Sequence, residues 1–201
     1  RYLTRWVFKR ALRDHASRRR HFEVSTISLN ISAVNLHEPD FEEFIIELLN
    51  TYDIPPEELV LEITETSVMK DPEYAIAALN RLAKCDIKLA IDDFGTGYSS
   101  LTYIQKLPIY EIKIDRSFLQ NMDKNAGDKA IVNTTINLSK DLGYMVVAEG
   151  IENQTILNSL RQMNCDYAQG FHIARPMPIN DLIIWQSNLK SDEFFTELKS
   201  S

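Results

Sequence analysis

Cysteine is nearly absent from the sequence: Cys85 and Cys165 are the two present, far apart and in no C-x-x-C arrangement. That excludes a disulfide framework and a zinc ribbon, and it fits a reducing cytoplasm in which both thiols pack as small core residues. Histidine is scarce as well, and His15, His21, His37 and His172 form no H-E-x-x-H or comparable ligand pattern, so ordinary surface or core roles are expected. No apolar run approaches the roughly 18 residues that a membrane-spanning helix needs, and residues 1–20 are too cationic and amphipathic for a secretory signal peptide. Basic charge is in deficit, with 22 Lys and Arg against 29 Asp and Glu, a net charge of −7. This argues against the basic footprint that duplex nucleic acid requires, while a small phosphorylated ligand stays open if cations neutralise it. The chain itself is expected to be soluble and cytoplasmic, with no membrane contact.

What is present is the composition of a globular protein, 44% hydrophobic and 25% charged, enough for one core. Leu3, Trp6, Val7 and Leu12 fall at near-helical spacing, and Arg18-Arg19-Arg20 reads as the solvated end of that helix. From there β-like runs alternate with helical patterns. Val24 to Ile31 is β-rich, and Phe41, Phe44, Ile45, Leu48 and Leu49 share a helical face after Pro39-Asp40. Leu59 to Ile63 is a strand, Pro72 to Ala83 a helix, and Lys88 to Ile91 a strand. A helical segment around Ser99 to Lys106 leads to a strand from Glu111 to Ile114, then to a helix marked by Ile131, Thr135, Leu138 and Leu142 and ended by Gly143. Met145 to Ala148 and Asp166 to Ala168 are further strands, separated by a helix carrying Leu157, Leu160 and Met163, and Ile179 to Leu189 is a terminal helix. Such alternation implies parallel strands with crossover helices, in an open doubly wound sheet or in a barrel. No linker or low-complexity segment divides it.

Polar residues stand at or just after each apolar run: Asn30, Glu62, Asp92 with Asp93, Lys113, Glu149 with Glu152, and Gln169. Parallel strands place their carboxyl ends on one face, so these groups converge. Gathering so many carboxylates is unfavourable unless they are protonated or bound to cations, and an all-oxygen donor set without Cys or His favours Mg²⁺ or Mn²⁺ over zinc. The adjacent pair Asp92-Asp93 is followed by Phe94-Gly95-Thr96-Gly97, whose glycines permit an unusual backbone path, with Ser99 or Ser100 to cap the next helix. At such a bend both carboxylates reach ions, and two metals about 3.5 to 4 Å apart can share one of them. Lys113, between Ile112 and Ile114, projects to the opposite face from those apolar neighbours and reads as a cation for a phosphate or an attacking water.

These residues resemble the EAL family of cyclic di-GMP phosphodiesterases. The matching strings are Asn30-Ile31-Ser32, Glu62-Ile63-Thr64-Glu65, Asp92 to Ser100, Lys113-Ile114-Asp115, Ala148-Glu149-Gly150-Ile151-Glu152, and Gln169-Gly170 with Arg175-Pro176, in the family's order from about Trp6 to Pro178. The resemblance implies a variant TIM-type (β/α) barrel that opens cyclic di-GMP to linear pGpG with two Mg²⁺ or Mn²⁺ ions. By position, Asn30, Glu62 and Asp92 hold one metal, and Asp92 and Asp93 serve the second. Lys113 positions the water and neutralises phosphate, Glu149 is the leading general base, and Glu152 supports the site. Gln169 and Asp115 are assigned to substrate. Glu65, with Gly95 and Gly97, steadies the loop from Asp93 to Ser100, which the family also uses in homodimer contacts. Sensory or cyclase domains, and a membrane anchor, are expected in the parent protein.

The Glu-Ala-Leu motif that names the family is absent, and with it a metal-binding Glu and a substrate-binding Arg. The chain is therefore expected to be a single EAL-type domain over residues 1–201, N-terminally truncated, with a barrel missing its first strand and two exposed sheet edges. Its own activity is left open by the missing ligand. Two rival readings stand beside it: a non-hydrolysing cyclic di-GMP receptor, and another metal-dependent barrel enzyme such as an aldolase or enolase relative.

Overall fold

The computed structural model describes residues 1–19, 26–97 and 101–189. Helix α1 (Tyr2–Arg18) leads to strand β1 (Ile27–Ile31), the one-turn helix α2 (Ala33–Leu36) and α3 (Phe41–Tyr52). A 3-10 turn at Pro56–Glu58 precedes β2 (Leu59–Thr64), followed by α4 (Glu65–Met69), α5 (Pro72–Ala83) and β3 (Lys88–Phe94). The chain continues through α6 (Leu101–Ile104), β4 (Glu111–Ile114), α7 (Arg116–Leu119), α8 (Ala126–Asp141) and β5 (Met145–Glu149). It ends with α9 (Gln154–Gln162), β6 (Tyr167–Gln169) and α10 (Ile179–Leu189).

The six strands form one parallel sheet in the order β1-β2-β3-β4-β5-β6. Each strand pairs with the next one in sequence, which is the winding of a β/α barrel. A doubly wound sheet reverses its strand order at a switch point and is excluded for these strands. Among the described residues the sheet stays open between β1 and β6, as expected of a barrel that lacks a strand.

Local sequence accounts for the helix starts. The side chains of Asp71, Asn125 and Asn153 accept hydrogen bonds from backbone N–H groups in the first turns of α5, α8 and α9, satisfying donors that a helix leaves unpaired. Packing supplies the rest. Phe8 on α1 meets Phe41 on α3 edge-to-face, with ring centroids 5.8 Å apart, over a core that includes Leu61, Ile63, Leu89 and Ile91. A smaller core joins Ile114, Val132, Ile136, Val146 and Leu160.

Several boundaries differ from the sequence reading. Val24 and Ser25 lie outside the described residues, and β1 begins at Ile27. Strand β3 runs through Asp92 and Asp93 to Phe94 instead of stopping at Ile91. Ser99 and Ser100, expected to cap a helix, lie outside the described residues, and α6 is a single turn. Arg18 and Arg19 are not merely solvated: Arg18 donates to Asn180 at 3.3 Å, and Arg19 pairs with Glu58 at 3.2 Å. His15 is a buried residue hydrogen-bonded to Glu58 at 2.9 Å. Both cysteines are free thiols, and burial pushes Cys165 up to about 11, which suits an inert packing role.

Candidate active site at the carboxyl ends of the strands

The parallel register sets the arrangement. Asn30 on β1 lies opposite Glu62 on β2, Glu62 opposite Ala90 on β3, and Ala90 opposite Glu111 on β4. Side chains alternate along a strand, so Asp92 and Lys113 share that face two residues further toward the strand ends. Between β3 and β4 the pairing jumps from Ile91↔Ile112 to Phe94↔Ile114, so Asp92 and Asp93 together stand against Lys113 alone. This is a β-bulge, two residues facing one, and it lets an adjacent pair of acids serve one site. Asp93 takes the left-handed conformation, φ 55°, which Asp tolerates better than most residues, and the Asp92 carboxylate accepts the Asp93 N–H at 3.0 Å.

Lys113 is the hub. Its Nζ lies 2.6 Å from Glu149 Oε1, 2.9 Å from Glu62 Oε2 and 3.6 Å from Asp92 Oδ1, joining strands β2, β3 and β5 through β4. It is only 5% exposed. Burial opposes its charge, yet the hydrogen bonds to Glu149 and Glu62 outweigh that cost and raise its pKa above the ordinary lysine range. Burial raises Glu149 above the usual carboxylate range despite the opposing pull of Lys113, and it raises Asp93 with help from the neighbouring charge of Asp92.

Above the hub opens a cavity of about 630 Å³, lined among others by Asp93, Asp115, Glu149, Glu152 and Gln169. Its volume is that of a small-molecule site. Asp115 also caps α7, accepting the Ser117 N–H at 3.0 Å. Gln169 faces Glu149 across the β5–β6 pairing, and its carbonyl accepts the Ile151 N–H at 3.0 Å. The loop after β3 is tied down from below: Glu65, 1% exposed, accepts the Gly95 N–H at 2.7 Å. A Cβ on Gly97 would stand 2.9 Å from Glu65 Oε1, so a glycine there is what allows the loop to lie on that carboxylate.

The structure thus gathers Glu62, Asp92, Lys113 and Glu149 at one point, and Asp93, Asp115, Glu152 and Gln169 around the cavity above it. Asn30 stands beside Glu62 in register but is exposed on the edge strand. Three residues escaped the sequence reading. Glu111, buried two residues before Lys113, belongs to the same face, and burial with the nearby charge of Glu62 pushes it up to about 7. The alternation that singled out Lys113 would have found it. Arg116 and Phe171 also line the cavity, and their placement depends on contacts distant in sequence.

The donor set fits a hard divalent cation: carboxylate oxygens, crowded enough that burial raises two of them, which positive charge would relieve. In the present arrangement Lys113 supplies that charge, and among the described residues no three His, Cys, Asp or Glu side chains are grouped to hold one ion.

The EAL domain family model matches residues 1–176. The chain belongs to the EAL domain family. That membership sets aside the aldolase-like and enolase-like reading. A protein of Pseudomonas aeruginosa named as a cyclic di-GMP phosphodiesterase is 35% identical over 183 residues, covering 91% of this chain and 31% of that protein. The bifunctional diguanylate cyclase/cyclic di-GMP phosphodiesterase MucR of the same organism is 36% identical over 157 residues, covering 78% of this chain and 23% of MucR. The chain thus spans under a third of the length of these curated relatives. The solved PaMucR phosphodiesterase in its c-di-GMP complex superposes with a TM-score of 0.86 at 33% identity, covering 90% of this chain and 74% of that one. The EAL fold here is therefore a TIM-type (β/α) barrel variant. Among the described residues of this EAL chain, no helix is long and apolar enough to cross a membrane.

Proposed function

We propose that this chain is the phosphodiesterase unit of a bacterial second-messenger protein and hydrolyses cyclic di-GMP to linear pGpG. The observation that carries the reading is the convergence of Glu62, Asp92 and Glu149 on the buried ammonium of Lys113, beneath a cavity of ligand size. The names of its relatives support the same substrate.

Asn30, Glu62 and Asp92 would hold one divalent ion and Asp92 with Asp93 the second, Mg²⁺ or Mn²⁺ by donor type. Bound there, the ions supply Lewis acidity that ionises water near neutral pH and offsets phosphate charge. The remaining steps fall to the chain. Lys113 holds its proton throughout and places its ammonium between the carboxylates and the reacting phosphate. Glu149, made more basic by burial, accepts the proton of the attacking water at a carboxylate oxygen. Water oxygen joins phosphorus, the bond from phosphorus to the ribose 3′ oxygen breaks, and that oxygen takes up a proton from solvent water to leave as a hydroxyl, while Glu149 returns its proton to solvent. Gln169 and Asp115 orient substrate, Glu152 supports the wall, and Glu65 with Gly95 and Gly97 holds the loop after β3. Residues 1–201 act as one domain, cytoplasmic, pairing as a homodimer through that loop, with sensory or cyclase domains in the parent protein.

A second reading, a receptor that binds cyclic di-GMP without cleaving it, is favoured by the engagement of Glu62, Asp92 and Glu149 with Lys113. One experiment separates the two. With Mn²⁺, release of pGpG by this chain, alone and fused behind a segment carrying Glu-Ala-Leu, is expected to be lost in Asp92→Asn. Tight binding with no turnover in either form would favour the receptor, and neither binding nor turnover would sink both.

A further inference from the structure

The cavity wall carries cations to which the proposed chemistry gives no role. Asp93, Asp115, Glu149 and Glu152 line it, and among the described residues the cations on its wall are Arg116 and Arg175. Lys113 is committed to its three carboxylates below. Arg175 lies over the ring of Phe171, 4.8 Å from its centroid. Arg116 is exposed and makes no ion pair among the described residues, although four acids share its cavity.

Its stem is nonetheless closely seated. Asp115 fixes the turn on which Arg116 sits by accepting the Ser117 N–H at 3.0 Å. Gly150 comes over it from the end of β5: its φ is +74°, and a Cβ there would run into the Arg116 Cβ. A glycine directly after Glu149 is what lets the β5 end and the base of Arg116 lie in contact. The guanidinium is thus rooted beside the proposed general base while its charge stays uncommitted.

From this placement we infer that Arg116 binds the phosphate of the cyclic dinucleotide that is not cleaved. The inference rests on the substrate proposed above. Such a ligand carries two phosphates on opposite sides of its ring; one must lie at the carboxylate and Lys113 floor, and the other faces the cavity wall. An acidic wall repels it unless a cation is provided, and a planar guanidinium pairs with phosphate through two parallel hydrogen bonds.

The test is binding of cyclic di-GMP to this chain by calorimetry, with Ca²⁺ replacing the catalytic ions to limit turnover. It is repeated with an analogue in which one phosphate is a neutral methylphosphonate. Arg116→Ala is expected to weaken cyclic di-GMP roughly ten- to a hundredfold, the range for a charge-assisted hydrogen bond. Arg116→Lys should recover part of that loss. The analogue, bound with its charged phosphate at the floor, should bind wild type and Arg116→Ala alike. Equal affinity of wild type and Arg116→Ala for cyclic di-GMP would overturn the inference. So would equal weakening of both ligands, which marks a structural role. Failure of the wild type to bind cyclic di-GMP would instead overturn the proposed function and this inference with it.

Discussion

Lys113 and Arg116 stand three residues apart, yet they belong to opposite regions of the cleft. Lys113 is buried on β4 and shared by three carboxylates; Arg116 opens α7 at the cavity wall, exposed and without an ion pair among the described residues. The floor sets three carboxylates against one ammonium within the protein, where each buried charge must find a partner or destabilise the fold. The wall carries charges that solvent screens until a ligand arrives. Floor residues therefore answer to stability and chemistry together, and wall residues to binding alone. Substitutions that obey or violate that division test it directly.

The largest effect is expected at Lys113. Removing the ammonium in Lys113→Ala leaves Glu62, Asp92 and Glu149 together without their shared cation, and breaking a buried pair in this way costs about 3 to 5 kcal/mol. Urea denaturation without metal would read that loss, and release of pGpG should fall below detection. Mn²⁺ should restore part of the stability by replacing the missing charge, through binding to the native state. A loss below about 0.5 kcal/mol would mean that the floor tolerates its acids unpaired.

The outline of this floor was legible in the sequence. Strand-end position singled out Glu62, alternation turned Lys113 away from Ile112 and Ile114, and the limits of β4, α5 and α10 coincide with the runs read from the sequence. The one-turn helices α2, α4 and α7 were not legible, because four or five residues carry too little periodicity and are set by caps such as Thr64 and Asp115. Nor was the bulge: Asp92-Asp93 read as a bend after the strand, whereas β3 continues through both and places them against Lys113. The contact of Gly150 with Arg116 depends on two strand ends meeting, which no local pattern encodes.

Glu111 sharpens the comparison from inside the floor, since it is buried there outside the three Lys113 ion pairs, and is pushed up to about 7 from the usual 4.5 by burial and then by Glu62. A folded pKa raised above the unfolded one means that the native state holds the proton more tightly. The contribution is most favourable below about 4.5, declines as pH rises toward 7, and is an unrelieved penalty above it. Glu111→Gln should therefore stabilise the metal-free protein at pH 8 by roughly 1 to 3 kcal/mol and leave it nearly unchanged at pH 4.5. Urea midpoints of both proteins in EDTA across that range check the sign; a gain confined to acid pH would contradict it.

The smallest effect belongs to the wall and is the sharper test of the division. Glu152 is exposed, lines the cavity and is touched by Gln120 Nε2 at 3.5 Å, too long to hold much energy. Glu152→Gln keeps the shape and removes one negative charge from a surface where screening is strong, so stability should change by less than about 0.5 kcal/mol. Its effect on hydrolysis should be a change in KM that shrinks as salt is raised, with kcat within about threefold, because a screened wall charge acts on an approaching dianion more than on the reacting atoms. A fall in kcat comparable to that of Lys113→Ala would instead place Glu152 with the floor, and the boundary between the two regions would have to be redrawn through the β5 end.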